Sequence, residues 1–205
     1  NFAREKTSDG IYISGSAMFR NYWSGSATLI GVAAAFDDRL TRGGPIMQEP
    51  RARSYMASVS SDSRKPIGLN VEGKYSIGAS GSWDSSGSVA ITAKPIPALT
   101  VEIGPSLLRS FGVAQYVTTA MDPVATATFG RRDVFGEIDQ TEWSMTTRAS
   151  LMINPRMSLQ VFAQPLLSVG RYGSFKQAAA PRTFTFLRYG VDLGTVGFDP
   201  VSRTY

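Results

Sequence analysis

The sequence predicts an all-β protein, and more specifically a transmembrane antiparallel β-barrel or a large fragment of one. Polar and apolar residues alternate with a period of two over long stretches, and turns rich in Gly, Pro, Asn and Asp separate those stretches. No apolar run approaches the roughly twenty residues of a membrane helix. From Glu142 to Ile153 the alternation is unbroken, which is longer than the usual soluble strand of about five or six residues and suits a tilted membrane-crossing strand of about nine to eleven.

The alternating segments follow one another as about nine crossing strands. We predict them at residues 11–20, 26–36, 54–61, 67–83, 88–94, 99–108 and 142–153, from residue 158 onward, and at residues 183–190. The Pro-centred turn at residues 154–157 closes one hairpin, and residues 84–87 are predicted to close another. Between the sixth and seventh strands, residues 114–120 and 126–138 are expected to form an extended loop hairpin, outside the membrane or as tall strand extensions.

The connections predict the orientation of the strands. Short turns near Trp23, Ser63, Pro97 and Pro155 fall on one side, and the loops at residues 37–53, 109–140 and 171–182 fall on the other. Short periplasmic turns and long outer loops are typical of bacterial barrels. The charged loop at residues 37–53 is expected to face solvent.

Composition excludes several classes of chemistry. The chain of 205 residues contains neither Cys nor His, so disulfides, thiolate nucleophiles, Ser-His-Asp triads and histidine metal sites are all ruled out. The formal net charge is +5, but the basic residues are dispersed without a nucleic-acid recognition motif. We therefore expect no nucleic-acid partner, no cofactor and no metal site.

Several longer runs carry a family resemblance: TRGGPIM (residues 41–47), SSDSRKP (60–66), GPSLLRS with AQYVTT (104–119), and VFGEIDQT continuing to FKQAAAPRTFTFLRYG (134–190). These runs resemble the C-terminal outer-membrane β-barrel domain of a bacterial family of unknown function. Full-length members usually carry an N-terminal domain similar to family-nine carbohydrate-binding modules, to which nothing in this chain corresponds. One departure is Asp133, where the family pattern implies an aromatic residue, so a loop contact is expected to differ.

Residues 1–205 are expected to form a single barrel domain that belongs to a longer polypeptide. The opening residues after Asn1 lack the apolar segment of a signal peptide, and the closing residues up to Tyr205 lack a clean final strand. An odd number of crossings also predicts that missing strands or a partner chain close the barrel, because bacterial barrels have even counts.

Candidate lumen-lining residues are the charged side chains on the predicted polar faces, where they would tune permeation or compensate one another inside the barrel: Glu72, Lys74, Lys94, Glu102 and Arg148. Trp23, Trp83 and Trp143 are candidates for an interfacial aromatic girdle, because indole rings favour the headgroup level. Ordinary packing beneath loops is the alternative for these three residues.

Basic residues of the predicted loops are candidates for contacts with lipopolysaccharide phosphates or another anion, since guanidinium groups pair bidentately with phosphate: Arg39, Arg42, Arg131 and Arg132. Solubilising loop charges are the alternative. The loop carboxylates show no calcium-binding spacing, although a paired-carboxylate glycosidase site would need no His.

These patterns predict a non-enzymatic protein of the bacterial outer membrane, with an anchoring role or a porin-like role in uptake of solutes or carbohydrate. Its expected partners are the lipid bilayer and lipopolysaccharide. Two alternatives stay open: a soluble all-β binding protein, and a membrane hydrolase that uses carboxylates.

Overall fold

The computed structural model describes residues 5–194 and residue 197. It contains twelve strands and, in the described part of the chain, no α-helix; a single 3-10 turn lies at Thr126–Thr128. The first Asn and the stretch from Asp199 to Tyr205, on which the fragment prediction partly depended, lie outside the described residues. None of the helical segments within the described range is long and apolar enough to cross a membrane.

The strands are β1 Gly10–Met18, β2 Ser24–Val32, β3 Ala35–Asp37, β4 Met47–Glu49, β5 Ala52–Ser60, β6 Ile67–Gly78, β7 Trp83–Ile96, β8 Leu99–Met121, β9 Arg131–Asn154, β10 Met157–Ala163, β11 Leu166–Ala178 and β12 Phe186–Arg188. Ten of them form one sheet in the order β1-β2-β5-β6-β7-β8-β9-β11-β12, with β10 also paired to β9. The named strand pairs are antiparallel, and β3 and β4 make a separate small hairpin. The all-β antiparallel prediction is confirmed; the sheet is not closed into a barrel.

Two strands act as one. β10 pairs with the C-terminal part of β9 and β11 with its N-terminal part. Residues 157–178 therefore form one long strand path, interrupted at Gln164 and Pro165. Counted this way, eight long strand paths follow one another in a meander. The prediction of a ninth crossing strand at residues 183–190 is wrong. Only the three residues of β12 pair there, with the C-terminal end of β11.

The register puts every predicted apolar row on the same face of the sheet. Residues directly opposite each other in adjacent strands share a face, and Ile13 is opposite Leu29, Leu29 opposite Tyr55, and Tyr55 opposite Tyr75. The same parity continues through β7, β8 and β9 to β10, where Leu159 is opposite Leu151. The sheet therefore has one apolar face and one polar face along all eight paths.

In the inner strands β5–β9 the apolar face is the more exposed one, whereas both faces of β1 and β10 are exposed. In β5, Tyr55 and Val59 are 42% and 44% exposed, whereas the serines at 54, 58 and 60 on the polar face are half-buried. Among the described residues only Ala35, Met47, Phe135 and Ala178 are buried hydrophobics. The accessible surface of 13825 Å² greatly exceeds the roughly 9,300 Å² expected for a compact monomer of this mass.

Of two local predictions, one needs correction and the structure decides between the two forms of the other. Residues 84–87 lie inside β7 and do not form a turn; the chain reverses at residues 79–82, where Gly81 has φ +94° and Gly78 N–H donates to the Ser82 carbonyl. The hairpin predicted between residues 114 and 138 is continuous with the crossing strands, since β8 and β9 run for 23 and 24 residues. Tall strand extensions are thus the form that this segment takes.

The small hydrophobic core lies at the end of the sheet that carries the β2–β5, β6–β7 and β8–β9 connections, which we call the upper end. Met47 and Phe135 are fully buried there with Ala178, and Leu40, Ala114, Tyr116 and Phe186 pack around them. Register shifts in the β8–β9 pair between Gly112 and Gln115 and between Tyr116 and Thr118 accompany this core, as bulges re-aim side chains. The expectation that residues 37–53 face solvent is wrong at Thr41 and Met47, both fully buried.

Candidate functional site: the polar face and its cap

The polar face carries hydroxyl groups that bond to one another from strand to strand. Ser26 and Ser58 lie 2.8 Å apart between β2 and β5, Ser54 donates to Ser76 at 2.9 Å between β5 and β6, and Ser106 lies 2.6 Å from Ser144 between β8 and β9. Small hydroxyl side chains at these positions let neighbouring strands satisfy each other's polar groups without filling the space beside the sheet.

Charged side chains are interspersed among these hydroxyls. Of the predicted lumen-lining set, Glu102 lies directly opposite Arg148 on β9 and opposite Thr92 on β7. The Arg148 guanidinium lies 5.4 Å from the ring centroid of Phe162, its opposite neighbour on β10. Glu102 and Arg148 are thus neighbours on the same face.

The remaining predicted residues are spread along the sheet. Glu72 lies opposite Ser58 and Ser88. Lys74 forms an ion pair with Asp84 at 3.0 Å, and Lys94 reaches the lower turns, where its Nζ donates to the Ser63 carbonyl at 3.3 Å. Sequence reasoning missed Asp84 as a partner because it assigned that residue to a turn.

Two of the three tryptophans lie on the apolar face. Trp83 is the first residue of β7 and lies opposite Ile77 and Phe111. Trp143 is 55% exposed and lies opposite Leu107 and Leu167. Trp23 sits in the β1–β2 turn, where its carbonyl accepts from the Phe19 N–H at 2.7 Å.

The four predicted anion-contact arginines separate into two pairs. Arg131 and Arg132 already have carboxylate partners within the chain, Asp133 at 2.8 Å and Asp122 at 2.5 Å. Arg39 is exposed, and Arg42 is exposed with its guanidinium 4.8 Å from the Tyr116 ring centroid. The geometry therefore favours Arg39 and Arg42 over the other pair for contact with an external anion.

A cluster that sequence reasoning did not assemble joins the loop between β3 and β4 to the strand extensions. Arg131 donates to the Gly43 carbonyl at 3.0 Å, to the Thr41 carbonyl at 3.3 Å and to the Thr119 hydroxyl at 3.0 Å. Thr119 donates in turn to Asp133 at 2.7 Å. The sequence pattern singles out Asp133 only as an expected difference in a loop contact, and it does not connect Asp133 with the loop at residues 41–44.

A second segment joins the same assembly. The Arg182 N–H donates to the Ile46 carbonyl at 2.7 Å, and the Gln48 N–H donates to the Thr183 carbonyl at 3.4 Å. The Arg182 guanidinium pairs with Glu5 and lies 4.7 Å from the Phe36 ring centroid. We call residues 35–49 together with residues 179–188 the cap.

The cap lies over the upper end of the polar face. Together they border a cavity of about 360 Å³ that is partly open to solvent. It is lined from the cap by Leu40, Glu49 and Phe184, and from the sheet by Ser76, Ser110 and Gln140, with Ile77, Trp83 and Phe111 at its margin. Burial, with a smaller contribution from the nearby Asp37 carboxylate, raises the pKa of Glu49. Leu40 and Ala114 line this cavity and also pack against the buried core. The cavity therefore lies directly beside the hydrophobic core that holds the cap.

Comparison with known proteins assigns no relatives. No family model, curated protein or solved structure matches the chain. No cluster of three or more acidic side chains that could hold a metal ion occurs among residues 5–194.

Proposed function

We propose that this chain forms the wall of a bacterial outer-membrane β-barrel, with its apolar face against lipid and its polar face towards a lumen. The observation that carries the proposal is the inverted distribution of polarity: in the inner strands β5–β9 the exposed face is apolar and the polar face is the less exposed one. In water such an apolar surface would be a large unpartnered patch. In a bilayer the same apolar surface would contact the hydrocarbon chains of the lipids.

The uncharged stretch of the apolar face has the height that a bilayer requires. On β9 the residues of this face from Thr141 to Ile153 carry no charge, and Asp139 and its opposite neighbour Arg171 lie just above them. Twelve residue steps correspond to about 40 Å along a strand and, at a tilt of about 45°, to roughly 30 Å across the membrane. That height is close to the thickness of the hydrocarbon layer.

The edges of the sheet set a further requirement. β1 and the β10–β11 path, except at residues 176–178 where β12 pairs, leave one side of their backbone unpaired, and hydrocarbon offers no hydrogen bonds to such edges. Because eight paths alternate in direction, the two edge strands run antiparallel and have the correct polarity to pair with each other. Closure with further strands or with a partner chain satisfies the same backbone groups.

The role that fits this arrangement is anchoring or porin-like uptake of a polar solute or carbohydrate, without catalysis. The hydroxyl-rich polar face, with both acidic and basic side chains, favours passage of neutral polar molecules over ions of one sign. Exposed Arg39 and Arg42 at the upper end are suited to lipopolysaccharide phosphates, and Trp83 and Trp143 to the interface.

Adjacent residues on opposite faces provide the test. Met145 lies on the apolar face and is 41% exposed, and Ser144 lies on the polar face. Met145→Arg should reduce the heat-modifiable, membrane-assembled form, since Arg on the lipid face costs about 2–4 kcal/mol near the bilayer midplane. Ser144→Arg is the matched control and should assemble. If the protein is soluble without detergent and Met145→Arg is tolerated as at any exposed position, the soluble binding protein replaces this proposal.

A further inference from the structure

A buried charged contact joins strand β9 to the loop between β3 and β4. Asp133 is fully buried, and its Oδ1 accepts hydrogen bonds from Arg131 and Thr119. Arg131 spans the gap to the loop carbonyls of Thr41 and Gly43. No other side chain described here donates to those two carbonyls, so Arg131 is the polar connection between strand β9 and the tip of the loop.

Apolar contact at the same place is limited to a few side chains. Met47 is the fully buried hydrophobic residue that the β3–β4 hairpin contributes against Phe135. Residues 35–49 can open while the long strands and β12 stay paired, because local opening requires only the contacts of the opening segment to break. Besides the Arg131 bonds and Met47, those contacts include the packing of Leu40, the Arg42–Tyr116 contact and the backbone bonds to Arg182 and Thr183.

The cover and the face beneath it belong to different parts of the chain. Leu40, Glu49 and Phe184 bound the cavity from the cap, and Ser76, Ser110 and Gln140 bound it from strands that continue down the polar face. The cap therefore borders the route from the upper end to these residues of the polar face.

We propose that the cap is a gate over the upper end of the polar face, and that the hydrogen bonds from Arg131 to the Thr41 and Gly43 carbonyls hold it closed. The gate deepens the proposed function, since it regulates access to the surface assigned there as a lumen. With Arg131 bonded to Thr41 and Gly43, residues 35–49 of the cap cover Ser110 and Gln140. With that contact broken, residues 35–49 move on the connections at residues 33–34 and 50–51 and the polar face opens, while residues 179–188 stay attached to β11 through β12.

The natural absence of Cys permits a direct test. Single cysteines at Ser110→Cys, beneath the cap, and Ser88→Cys, on the polar face away from the cavity lining, would be labelled with a fluorescein maleimide in detergent-solubilised, folded protein. Ser110→Cys should react more slowly than Ser88→Cys. Adding Arg131→Ala should accelerate labelling of Ser110→Cys by about tenfold or more, as expected when a charge-assisted anchor is lost, and should leave Ser88→Cys unchanged.

Arg132→Ala is the matched control. Arg132→Ala also removes a contact with a carboxylate, that of Asp122. The other hydrogen bond of the Arg132 side chain goes to Gln177 on β11, not to the loop between β3 and β4. Arg132→Ala should leave the labelling rate of Ser110→Cys within about twofold. Should Arg131→Ala prevent folding, Met47→Ala removes the apolar anchor while keeping the Arg131–Asp133 pair, and the same acceleration is expected.

Two results would overturn the gate. Equal labelling of Ser110→Cys and Ser88→Cys in the parent protein would show that the cap does not cover the face, and unchanged labelling after both Arg131→Ala and Met47→Ala would show that neither contact holds it. Failure of the membrane proposal gives a different pattern: the Met145→Arg and Ser144→Arg pair would lose its contrast while Ser110→Cys stayed protected, and the cap would then be the lid of a soluble pocket.

Discussion

The two oxygens of the buried Asp133 carboxylate have different surroundings, and one of them lies against Gly44. Oδ1 accepts hydrogen bonds from Arg131 at 2.8 and 3.1 Å and from Thr119 at 2.7 Å. Oδ2 is buried without a hydrogen-bond partner, and a Cβ added at Gly44 would lie only 2.5 Å from it. Gly44 is therefore required by the close approach of the loop to a carboxylate.

Gly44→Ala should destabilise the cap. Its methyl group would meet Asp133 Oδ2 at 2.5 Å and the Thr41 Cβ at 3.0 Å, and both belong to buried residues that cannot move freely. Overpacking of this kind costs about 1–3 kcal/mol. Hydrogen exchange of the amides between residues 40 and 48 should increase. Gly73→Ala on β6, where nothing lies within 4 Å of the new methyl group, is the control; a similar increase in both variants would contradict the argument.

Phe135→Ala should loosen the same region without unpairing the long strands. Phe135 is fully buried and makes edge-to-face contacts with Tyr116 at 6.0 Å and Phe186 at 5.3 Å between ring centroids. Removing a buried Phe side chain costs about 3–5 kcal/mol. Limited proteolysis should cut within the cap while the heat-modifiable form persists. Phe129→Ala, at a 74% exposed position, should change neither, and loss of the folded sheet in Phe135→Ala would show that the cap supports the whole fold.

The faces of the sheet could be predicted from the sequence because pairing in register preserves the period of two. Tyr55 opposite Tyr75 and Leu107 opposite Trp143 need only alternation within each strand. The turn at residues 84–87 was predicted wrongly because Ser and Gly suit a polar strand face as well as a turn. The cap could not be predicted from the sequence. Met47 and Phe135 pack together although they lie 88 residues apart in the chain, and the register shift after Gly112 changes which residues of β8 and β9 face the core.

Acid should weaken the lower turns through Asp62. Hydrogen bonds from the Arg64 side chain and backbone lower the pKa of Asp62 to about 2, and the Arg64 guanidinium also lies 3.3 Å from the Tyr22 ring centroid in the neighbouring turn. Because the folded-state pKa lies below the unfolded value of about 3.9, the stabilisation is complete above about pH 4 and is lost as the pH falls towards 2.

Asp62→Asn should remove that pH dependence. Denaturant midpoints measured from pH 5 to pH 2 should fall less steeply for Asp62→Asn than for the parent protein, and the variant should be the less stable of the two at pH 5. Asp38→Asn, in the exposed part of the cap loop, is the control and should retain the parent's slope. Parallel curves for the parent and Asp62→Asn would show that the Asp62–Arg64 contact contributes nothing to the turn.

Glu102 and Arg148 should set the charge preference of the proposed lumen in opposite directions. They lie opposite each other on β8 and β9, on a face that also carries the acidic Glu72, Asp84 and Glu142 and the basic Lys74 and Lys94. Arg148→Gln leaves this face more negative, so the ratio of cation to anion permeability should rise by roughly twofold. Glu102→Gln should lower the ratio by a similar factor, and the double variant should return close to the parent value.

Reversal potentials in planar bilayers under a salt gradient measure that ratio. The recordings should use the gate-opening background Arg131→Ala, so that the cap does not limit the current. Arg171→Gln, opposite Asp139 on the apolar face, is the control and should leave the potential unchanged because its side chain does not line the polar face. If Arg171→Gln shifts the potential and the Glu102 and Arg148 variants do not, the lumen lies on the other side of the sheet; if the inserted protein conducts no current in any variant, anchoring is its role.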